Sequence, residues 1–229
     1  MKDNLKILFI GKAGDPYSIA AASFLEERFT APKIIYSNRS DRFPEELLNW
    51  KGDLVISYLA QWVIPQALLD NAAMAAINFH PGPPSYPGIG CTNFAIYNDE
   101  KEYGITCHHM LAKVDTGEII EVRRFPIHPI DTVYSVTQRC YIEILYGFYS
   151  IMTRLLQEKK FPLSTEKWTR KPYTRKELNE LCLAMPEMGS EEIQKRLKAT
   201  TFGDKIWLQV KVGNELVPYD KALENGIIQ

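Results

Sequence analysis

Residues 6–28 read KILFIGKAGDPYSIAAASFLEER, and this stretch shows how the chain begins to fold. The apolar run of residues 6–10 stops at a glycine and predicts a buried strand. Residues 11–16 contain two glycines and a proline and predict a turn. Residues 18–28 place apolar side chains on one side with helical spacing. The stretch therefore predicts a strand, a turn and a helix, the unit from which parallel α/β sheets are built.

The same alternation continues to residue 79. Short apolar runs predict strands over residues 33–36, 54–57 and 75–79, and helices are expected over residues 44–50 and 65–69. Such alternation is typical of an α/β fold with a doubly wound, mostly parallel sheet. We therefore expect a Rossmann-like α/β core.

After residue 79 the pattern changes to a loop rich in proline and glycine. Residues 80–90 hold four prolines and three glycines, so irregular structure is expected there. Beyond it we expect a helix over residues 92–97, strands over 103–111 and 118–127, and a long helix from 131 or 132 to about 156. The predicted apolar face of the long helix comprises Val136, Ile142, Leu145, Phe148, Ile151 and Leu155.

The chain changes character again near residue 160. Ser190–Thr200 has the acidic first turn and basic last turn of a helix, and residues 205–219 predict a hairpin with its turn at Gly213. We therefore expect two parts. A larger α/β domain spans residues 1–160, and a small C-terminal helix-plus-hairpin appendage spans residues 161–229.

Composition excludes several classes of protein. Of 229 residues 45% are hydrophobic, enough to bury a sizeable core. The net charge of -1 and the pI near 6.4 argue against a nucleic-acid partner bound by phosphate neutralisation. The apolar runs are too short to span a bilayer and the first residues lack a signal-peptide layout, so no membrane partner is expected. Four cysteines without CxxC spacing predict reduced thiols and a cytoplasmic location.

Asn78 and His80 mark a candidate site at the end of the fourth predicted strand. Residues two apart on a strand face the same side, so the two side chains converge on one point. An amide N–H can stabilise a developing oxyanion and an imidazole can exchange a proton near neutral pH. Asp115 is the candidate carboxylate beside them. The alternatives are that Asn78 and His80 only tie down the loop and that Asp115, with Gly117, belongs to an ordinary turn.

Three segments extend this pattern: INFHPGPPSYPG at 77–88, GITCH at 104–108 and VDTGEII at 114–120. Together they resemble the N10-formyltetrahydrofolate-dependent formyltransferase family, and the resemblance covers about residues 5–157. It implies that Asn78, His80 and Asp115 form a catalytic trio, that residues 1–160 are the catalytic domain, and that N10-formyltetrahydrofolate supplies the formyl group without a metal. The HPGPP variant is similar to the sugar N-formyltransferase branch.

The resemblance also implies where ligands bind. The acceptor would be a nucleotide-linked amino sugar, with dTDP as the expected nucleotide, used to make an N-formylated surface glycan such as O-antigen. Homodimers are usual in that branch. The folate is expected along Gln61, Trp62, Val63 and Ile64, next to Asp115. The residues expected to face the sugar nucleotide are Lys12, Pro83, Tyr86, Asn93 and Tyr97, with Arg170 beside Lys12 at the diphosphate.

Other functions remain as alternatives. Methionyl-tRNA formyltransferases resemble the core but carry a larger C-terminal domain on a basic linker. Glycinamide ribonucleotide formyltransferases bind a phosphate in the loop after the first strand, where Asp15 and Pro16 are poorly suited here. A metal-dependent hydrolase would draw its ligands from His80, His108, His109 and Asp115, but His108 and His109 face opposite sides of a strand. A non-catalytic folate-binding relative is the last alternative.

Overall fold

The computed structural model describes residues 2–228 and contains the predicted α/β fold. Its first part comprises, in chain order, β1 (Ile7–Lys12), α1 (Pro16–Arg28), β2 (Lys33–Ser37), a 3₁₀ helix (Glu45–Asn49), β3 (Gly52–Tyr58), α2 (Gln66–Leu69), β4 (Ala72–His80), α3 (Cys91–Tyr97), β5 (Glu102–His109), β6 (Ile119–Pro126) and α4 (Val133–Glu158). The predicted order of strands and helices over this part is therefore confirmed. The helix expected over residues 44–50 is a shorter 3₁₀ helix.

The central sheet has six strands in the order β2-β1-β3-β4-β5-β6. The first four are parallel to one another, while β5 is antiparallel to both β4 and β6. The sheet is thus mostly parallel, as predicted. The carboxyl ends of β1, β3 and β4 lie side by side, at the edge where open α/β sheets bind ligands.

Helices cover both faces of the sheet. On one face α1 and α4 enclose a core in which Phe148 makes aromatic contacts with Phe9, Tyr58 and Phe79 at centroid distances of 5.6 to 6.2 Å. On the other face the 3₁₀ helix and α2 bury a smaller cluster around Leu47. The aromatic core places β3 and β4 firmly, so the side chains at their ends are held by buried structure.

The turn after β1 is built to start a helix. The carboxylate of Asp15 accepts a hydrogen bond from the backbone N–H of Ser18 at 2.8 Å, and Pro16 occupies the first helical position. Asp15 is buried in this role. The acidic residue that distinguishes this loop from a phosphate-binding loop is thus the N-cap of α1.

Helix α4 differs in detail from its prediction. Ile142 is 39% exposed and Leu145 is half-buried, so they are not part of the buried stripe. The stripe runs instead through positions spaced three and four apart, which lie on one helical face. Its members are Val133, Val136, Cys140, Ile144, Gly147, Phe148, Ile151, Met152 and Leu155.

The C-terminal part begins with residues 161–174, which form neither helix nor strand and are called the strap below. The elements after it are α5 (Arg175–Leu181), β7 (Leu183–Ala184), α6 (Ser190–Thr200), β8 (Thr201–Phe202), β9 (Lys205–Ile206), β10 (Gln209–Val212), β11 (Glu215–Pro218) and α7 (Tyr219–Glu224). The predicted helix is α6. The predicted hairpin is shorter than expected, because β10 pairs with β11 across Gly213 while β9 pairs with β8.

The buried residues of this C-terminal part belong to two hydrophobic clusters. Leu178, Leu181 and Ala199 join the main core, whereas residues from β7 onward also form a small cluster of their own. The strap and α5 therefore pack on the α/β domain. Among residues 2–228, none of the helices is both long and apolar enough to span a membrane.

Candidate active site

β4 carries two polar side chains to the carboxyl edge of the parallel strands. Asn78 and His80 lie two residues apart at its end, and both line a cavity of about 500 Å³. Alternate residues of a strand face the same side of a sheet, which is why both reach one cavity. The structure thus brings the predicted amide and imidazole together.

The loop after β5 adds a buried carboxylate, Asp115, to this cavity. Its Oδ2 accepts a hydrogen bond from the backbone N–H of Gly88 at 2.7 Å and lies 3.2 Å from His80 Nδ1. Its Oδ1 lies 3.2 Å from His108 Nε2. Asp115 is 3% exposed, His80 4% and His108 2%. These three side chains are called the His–Asp–His cluster below. The carboxylate of Asp115 lies between two buried imidazoles, so Asp115 does more than shape a turn.

Two glycines permit this geometry. Gly88 has a φ of +88°, and a Cβ there would lie 2.4 Å from the backbone oxygen of Tyr173. A Cβ at Gly117 would lie 1.8 Å from the backbone oxygen of His109. Neither approach leaves room for a side chain. The glycines of the loop and of the D-x-G turn therefore allow the close backbone packing that positions Asp115.

Opposing effects set the protonation of Asp115. Burial by itself raises the pKa of the carboxyl group. When they are protonated, the facing imidazoles of His80 and His108 lower it, as does the N–H of Gly88. Together they outweigh burial, and the pKa falls from 3.8 to about 2. Asp115 is therefore a carboxylate at neutral pH, and a carboxylate stabilises a positive charge that forms beside it.

Backbone carbonyls fix the tautomers of both histidines. His80 Nε2 lies 2.8 Å from the backbone oxygen of Tyr86, so this nitrogen carries a hydrogen and donates it. His108 Nδ1 lies 2.8 Å from the oxygen of His109 and donates in the same way. In each neutral ring the nitrogen facing Asp115 is then unprotonated. Both imidazoles can accept a proton where the carboxylate stabilises it.

His108 joins the site, although the sequence identifies it only as the end of the GITCH motif and as a possible metal ligand, outside the predicted catalytic trio. It lies opposite Asn78 in the pairing of β4 with β5, and Asn78 Nδ2 donates to Nε2 of neutral His108 at 3.1 Å. The neighbouring His109 faces away and contacts Phe161. The alternation of side chains along β5 places His108 and His109 on opposite faces, but it does not show which strand lies beside β5.

The connection after β3 forms a large part of the cavity wall. The lining residues expected to lie along the folate are Gln61, Trp62, Val63 and Ile64. The N–H of Gln61 donates to Ser37 Oγ at 2.8 Å, and the indole N–H of Trp62 donates to the backbone oxygen of Asp41 at 3.0 Å. Further apolar side chains line the cavity, among them Leu59, Leu69, Met110, Leu111 and Val114. The wall offers a fixed backbone and an apolar surface, which suits a flat ring system.

Lys12 places a cation near the cavity. Its Nζ donates to the hydroxyl of Tyr141 at 3.3 Å and lies 5.0 Å from the centre of that ring, and Tyr141 lines the cavity. Burial raises the pKa of Tyr141, and the charge of Lys12 opposes this effect. Arg170, by contrast, stacks on Tyr173 and pairs with Glu177 at 3.2 Å. The guanidinium of Arg170 is therefore paired within the C-terminal part.

None of the five predicted substrate-binding residues lines the cavity: Lys12 lies next to it through Tyr141, and Pro83, Tyr86, Asn93 and Tyr97 lie elsewhere. The hydroxyl of Tyr86 donates to Glu100 at 2.7 Å. The amide of Asn93 donates to the backbone oxygen of Ala199 at 2.7 Å, and the hydroxyl of Tyr97 donates to Glu192 at 2.9 Å. Because α6 covers α3, the polar side chains of α3 hold the C-terminal part and do not face the cavity.

This arrangement suits acyl transfer to an amine. An amide N–H beside a proton-accepting imidazole can stabilise an oxyanion and take a proton in one site. Across residues 2–228, no cluster of three or more His, Cys, Asp or Glu side chains is placed to hold a metal ion.

The sequence of residues 15–143 matches the family described as Formyl transferase. This match covers more than half of the chain, so the chain belongs to the formyl transferase family. The family resemblance seen in the three sequence motifs is thereby confirmed.

Particular relatives refine the comparison. The GDP-perosamine N-formyltransferase of Brucella melitensis is 29% identical over 119 residues, which cover 52% of this chain and 46% of the relative. The methionyl-tRNA formyltransferase of a Geobacillus species is 27% identical over 195 residues, covering 80% of this chain and 60% of the relative. The chain thus spans about half to three fifths of the length of these relatives.

Among solved structures, the N-formyltransferase from Helicobacter canadensis, in complex with folinic acid and dTDP-3-aminofucose, shares the fold. It superposes with a TM-score of 0.71 at 17% identity, covering 91% of this chain and 84% of that one.

Proposed function

We propose that this protein transfers the formyl group of N10-formyltetrahydrofolate to the amine of a nucleotide-linked amino sugar, with dTDP as the nucleotide. The observation that carries the proposal is the cavity that joins Asn78 and the His–Asp–His cluster to the apolar wall after β3. The Brucella relative acts on a GDP-linked sugar, and the Helicobacter structure contains a dTDP-linked one. Both support a nucleotide sugar as the acceptor class.

Each residue has a role that follows from its position. As the substrate amine bonds to the formyl carbon, the amide N–H of Asn78 stabilises the negative charge on the formyl oxygen. The amine proton passes to His80 Nδ1, where Asp115 stabilises it from 3.2 Å. The oxyanion then collapses to the new amide carbonyl, the bond between the formyl carbon and the folate nitrogen breaks, and that nitrogen takes up the proton held by His80.

The two ligands would occupy different parts of the cavity. The pterin ring lies against Gln61, Trp62, Val63 and Ile64. The backbone N–H of Gln61 is held by Ser37 at the end of β2, and the indole of Trp62 by the backbone oxygen of Asp41. The sugar nucleotide enters beside Tyr141, where Lys12 is close enough to meet a phosphate. An N-formylated sugar of this kind would serve a surface glycan such as O-antigen, made in the cytoplasm by a homodimeric enzyme.

The test is tetrahydrofolate release from N10-formyltetrahydrofolate, followed by absorbance, with a panel of dTDP- and GDP-linked amino sugars. We expect turnover with a dTDP-linked sugar and a loss of turnover in Asn78→Ala. Turnover with a GDP-linked sugar alone would keep the acceptor class and refute the nucleotide. Turnover only with glycinamide ribonucleotide or methionyl-tRNA would refute the acceptor class.

Methionyl-tRNA is the second candidate acceptor, because the Geobacillus relative aligns over 80% of this chain. The net charge of -1 is unfavourable for that substrate, since tRNA-binding surfaces rely on clustered basic side chains. Competition by total tRNA in the sugar assay would reveal such binding.

A further inference from the structure

The strap crosses the part of the molecule that holds the His–Asp–His cluster. Its backbone is tied down along its length. The N–H of Ser164 donates to the backbone oxygen of Ile119 at 3.2 Å, and the N–H of Thr169 donates to that of Pro84 at 3.1 Å. The N–H of Tyr173 donates to Pro87 at 2.9 Å. The strap is therefore a fixed part of the site's surroundings, although it lies beyond the matched residues 15–143.

One strap side chain, Trp168, touches both histidines of the cluster. Its ring centre lies 5.1 Å from that of His108 and 6.0 Å from that of His80, with angles of 84° and 70° between the ring planes. Its Nε1–H donates to the backbone oxygen of Gly117 at 2.8 Å. A single side chain thus contacts two imidazoles and the D-x-G turn that carries Asp115.

Trp168 approaches the cluster from outside the cavity, because it is not among the residues that line it. The cavity side is open to ligands, so the nearly complete burial of His80, His108 and Asp115 requires cover on the other side. An indole ring excludes water there. Charge interactions within a water-free site are stronger than in solvent, and they need less reorganisation during a reaction.

The bond to Gly117 has a second consequence. Asp115 has a φ of 49°, a left-handed conformation that is unfavourable for a residue with a side chain. Such a backbone persists only when neighbouring contacts hold it. The indole N–H holds the carbonyl two residues further on and so restrains the turn.

We propose that Trp168 is a positioning residue for formyl transfer, which keeps water from the rear of the His–Asp–His cluster and holds the turn that presents Asp115. This proposal rests on the function proposed above. Trp168 touches neither substrate in this role. It acts through His80, His108 and Asp115.

The experiment compares Trp168→Phe and Trp168→Ala with Trp207→Phe, a matched control in the C-terminal part that stacks on Phe202. Phenylalanine keeps a ring but loses the N–H donor, so we expect kcat to fall about fivefold. Alanine also admits water and frees the turn, so we expect a fall of about a hundredfold. KM for the formyl donor stays within about twofold, because the folate wall is untouched. Trp207→Phe leaves both constants unchanged.

A second readout separates positioning from general destabilisation. The chain has four histidines, so NMR titration of their imidazoles can follow each one. We expect Trp168→Phe to move the titration of His80 and His108 while His128, on the surface, titrates as before. If His80 and His108 do not move and kcat is unchanged, the proposal is wrong. The titration decides the matter even if the alanine variant fails to fold.

The variant Asp115→Asn distinguishes failure of the proposal for Trp168 from failure of the proposed function. An active Asp115→Asn enzyme would refute the catalytic role of the cluster. An inactive one, beside a folded and fully active Trp168→Ala enzyme, would refute only the role of Trp168.

Discussion

Replacement of Asp115 by asparagine removes the charge of the cluster and keeps its shape. In the structure Oδ2 accepts from the N–H of Gly88, and Oδ1 faces Nε2 of His108. The amide of the variant must keep its oxygen towards Gly88, because two N–H donors cannot share one position. Its NH₂ group then faces His108, and the proton on His80 loses the carboxylate that stabilises it.

The expected size of this effect follows from the pKa of Asp115. The fall from 3.8 to about 2 corresponds to about 2 kcal/mol of preferential interaction with the charged carboxylate. This net figure combines burial, both imidazoles and the N–H of Gly88, and the full loss of such an interaction in the transition state would slow the reaction by roughly thirtyfold. His80 still accepts the amine proton in the variant but without a facing carboxylate, so we expect kcat to fall by at least about thirtyfold. KM for N10-formyltetrahydrofolate should change by less than about threefold.

The assay is tetrahydrofolate release at saturating amino sugar, repeated as a single turnover so that product release does not limit the rate. Asp131→Asn is the matched control. Asp131 is also a buried carboxylate with a lowered pKa, but it pairs with Arg139 at the start of α4. A folded Asp115→Asn enzyme with kcat within tenfold of the native value would refute the reasoning.

Three further outcomes are expected. Gly117→Ala forces a Cβ to within 1.8 Å of the backbone oxygen of His109, so we expect about 3 kcal/mol of lost stability. Calorimetry should then show a Tm lower by roughly 6–12 °C. An unchanged Tm would contradict the turn geometry. The folded-state pKa of Asp115 lies below its unfolded value, so its contribution of about 2 kcal/mol is present above about pH 4 and lost as the pH falls to about 2. Urea unfolding at several pH values tests this, and Asp115→Asn should remove that part of the acid dependence. Nitrogen-edited NMR of the neutral imidazoles should show hydrogen on Nε2 of His80 and on Nδ1 of His108; the opposite tautomers would contradict the proposed proton path.

Much of the core can be predicted because its signals are local. Alternating apolar runs and turns define the strands and helices as far as β4, and the two-residue spacing of Asn78 and His80 places both at one strand end. The D-x-G turn also appears in the sequence. The pairing of Asp115 with two histidines depends on contacts between distant segments, which no local sequence pattern contains.

The remaining features arise from tertiary packing. His108 reaches Asn78 through the antiparallel register of β5, and Trp168 reaches the cluster from a segment without regular structure. Asn93 and Tyr97 are polar residues on a short helix near the site, and only the position of α6 shows that they bond to the C-terminal part.

The short helices of the C-terminal part differ in how clearly the sequence predicts them. Helix α5 begins at Thr174, whose side chain accepts from the N–H of Glu177 while Glu177 reaches back to Thr174. This capping box is a T-x-x-E pattern, so the start of α5 has a sequence signal. Helix α7 has no side-chain cap at Pro218 and is stabilised by burial of Tyr219 and Ala222 in the small C-terminal cluster.

The most direct test of the central claim is to follow a ¹³C-labelled formyl group from N10-formyltetrahydrofolate to its product by NMR. The protein is mixed with the labelled donor and a dTDP-linked amino sugar. We expect a new formamide carbon signal on the sugar amine with the native protein, and its far slower appearance with Asp115→Asn. Label found only on glycinamide ribonucleotide or methionyl-tRNA, when these are offered together with the sugar, would contradict it.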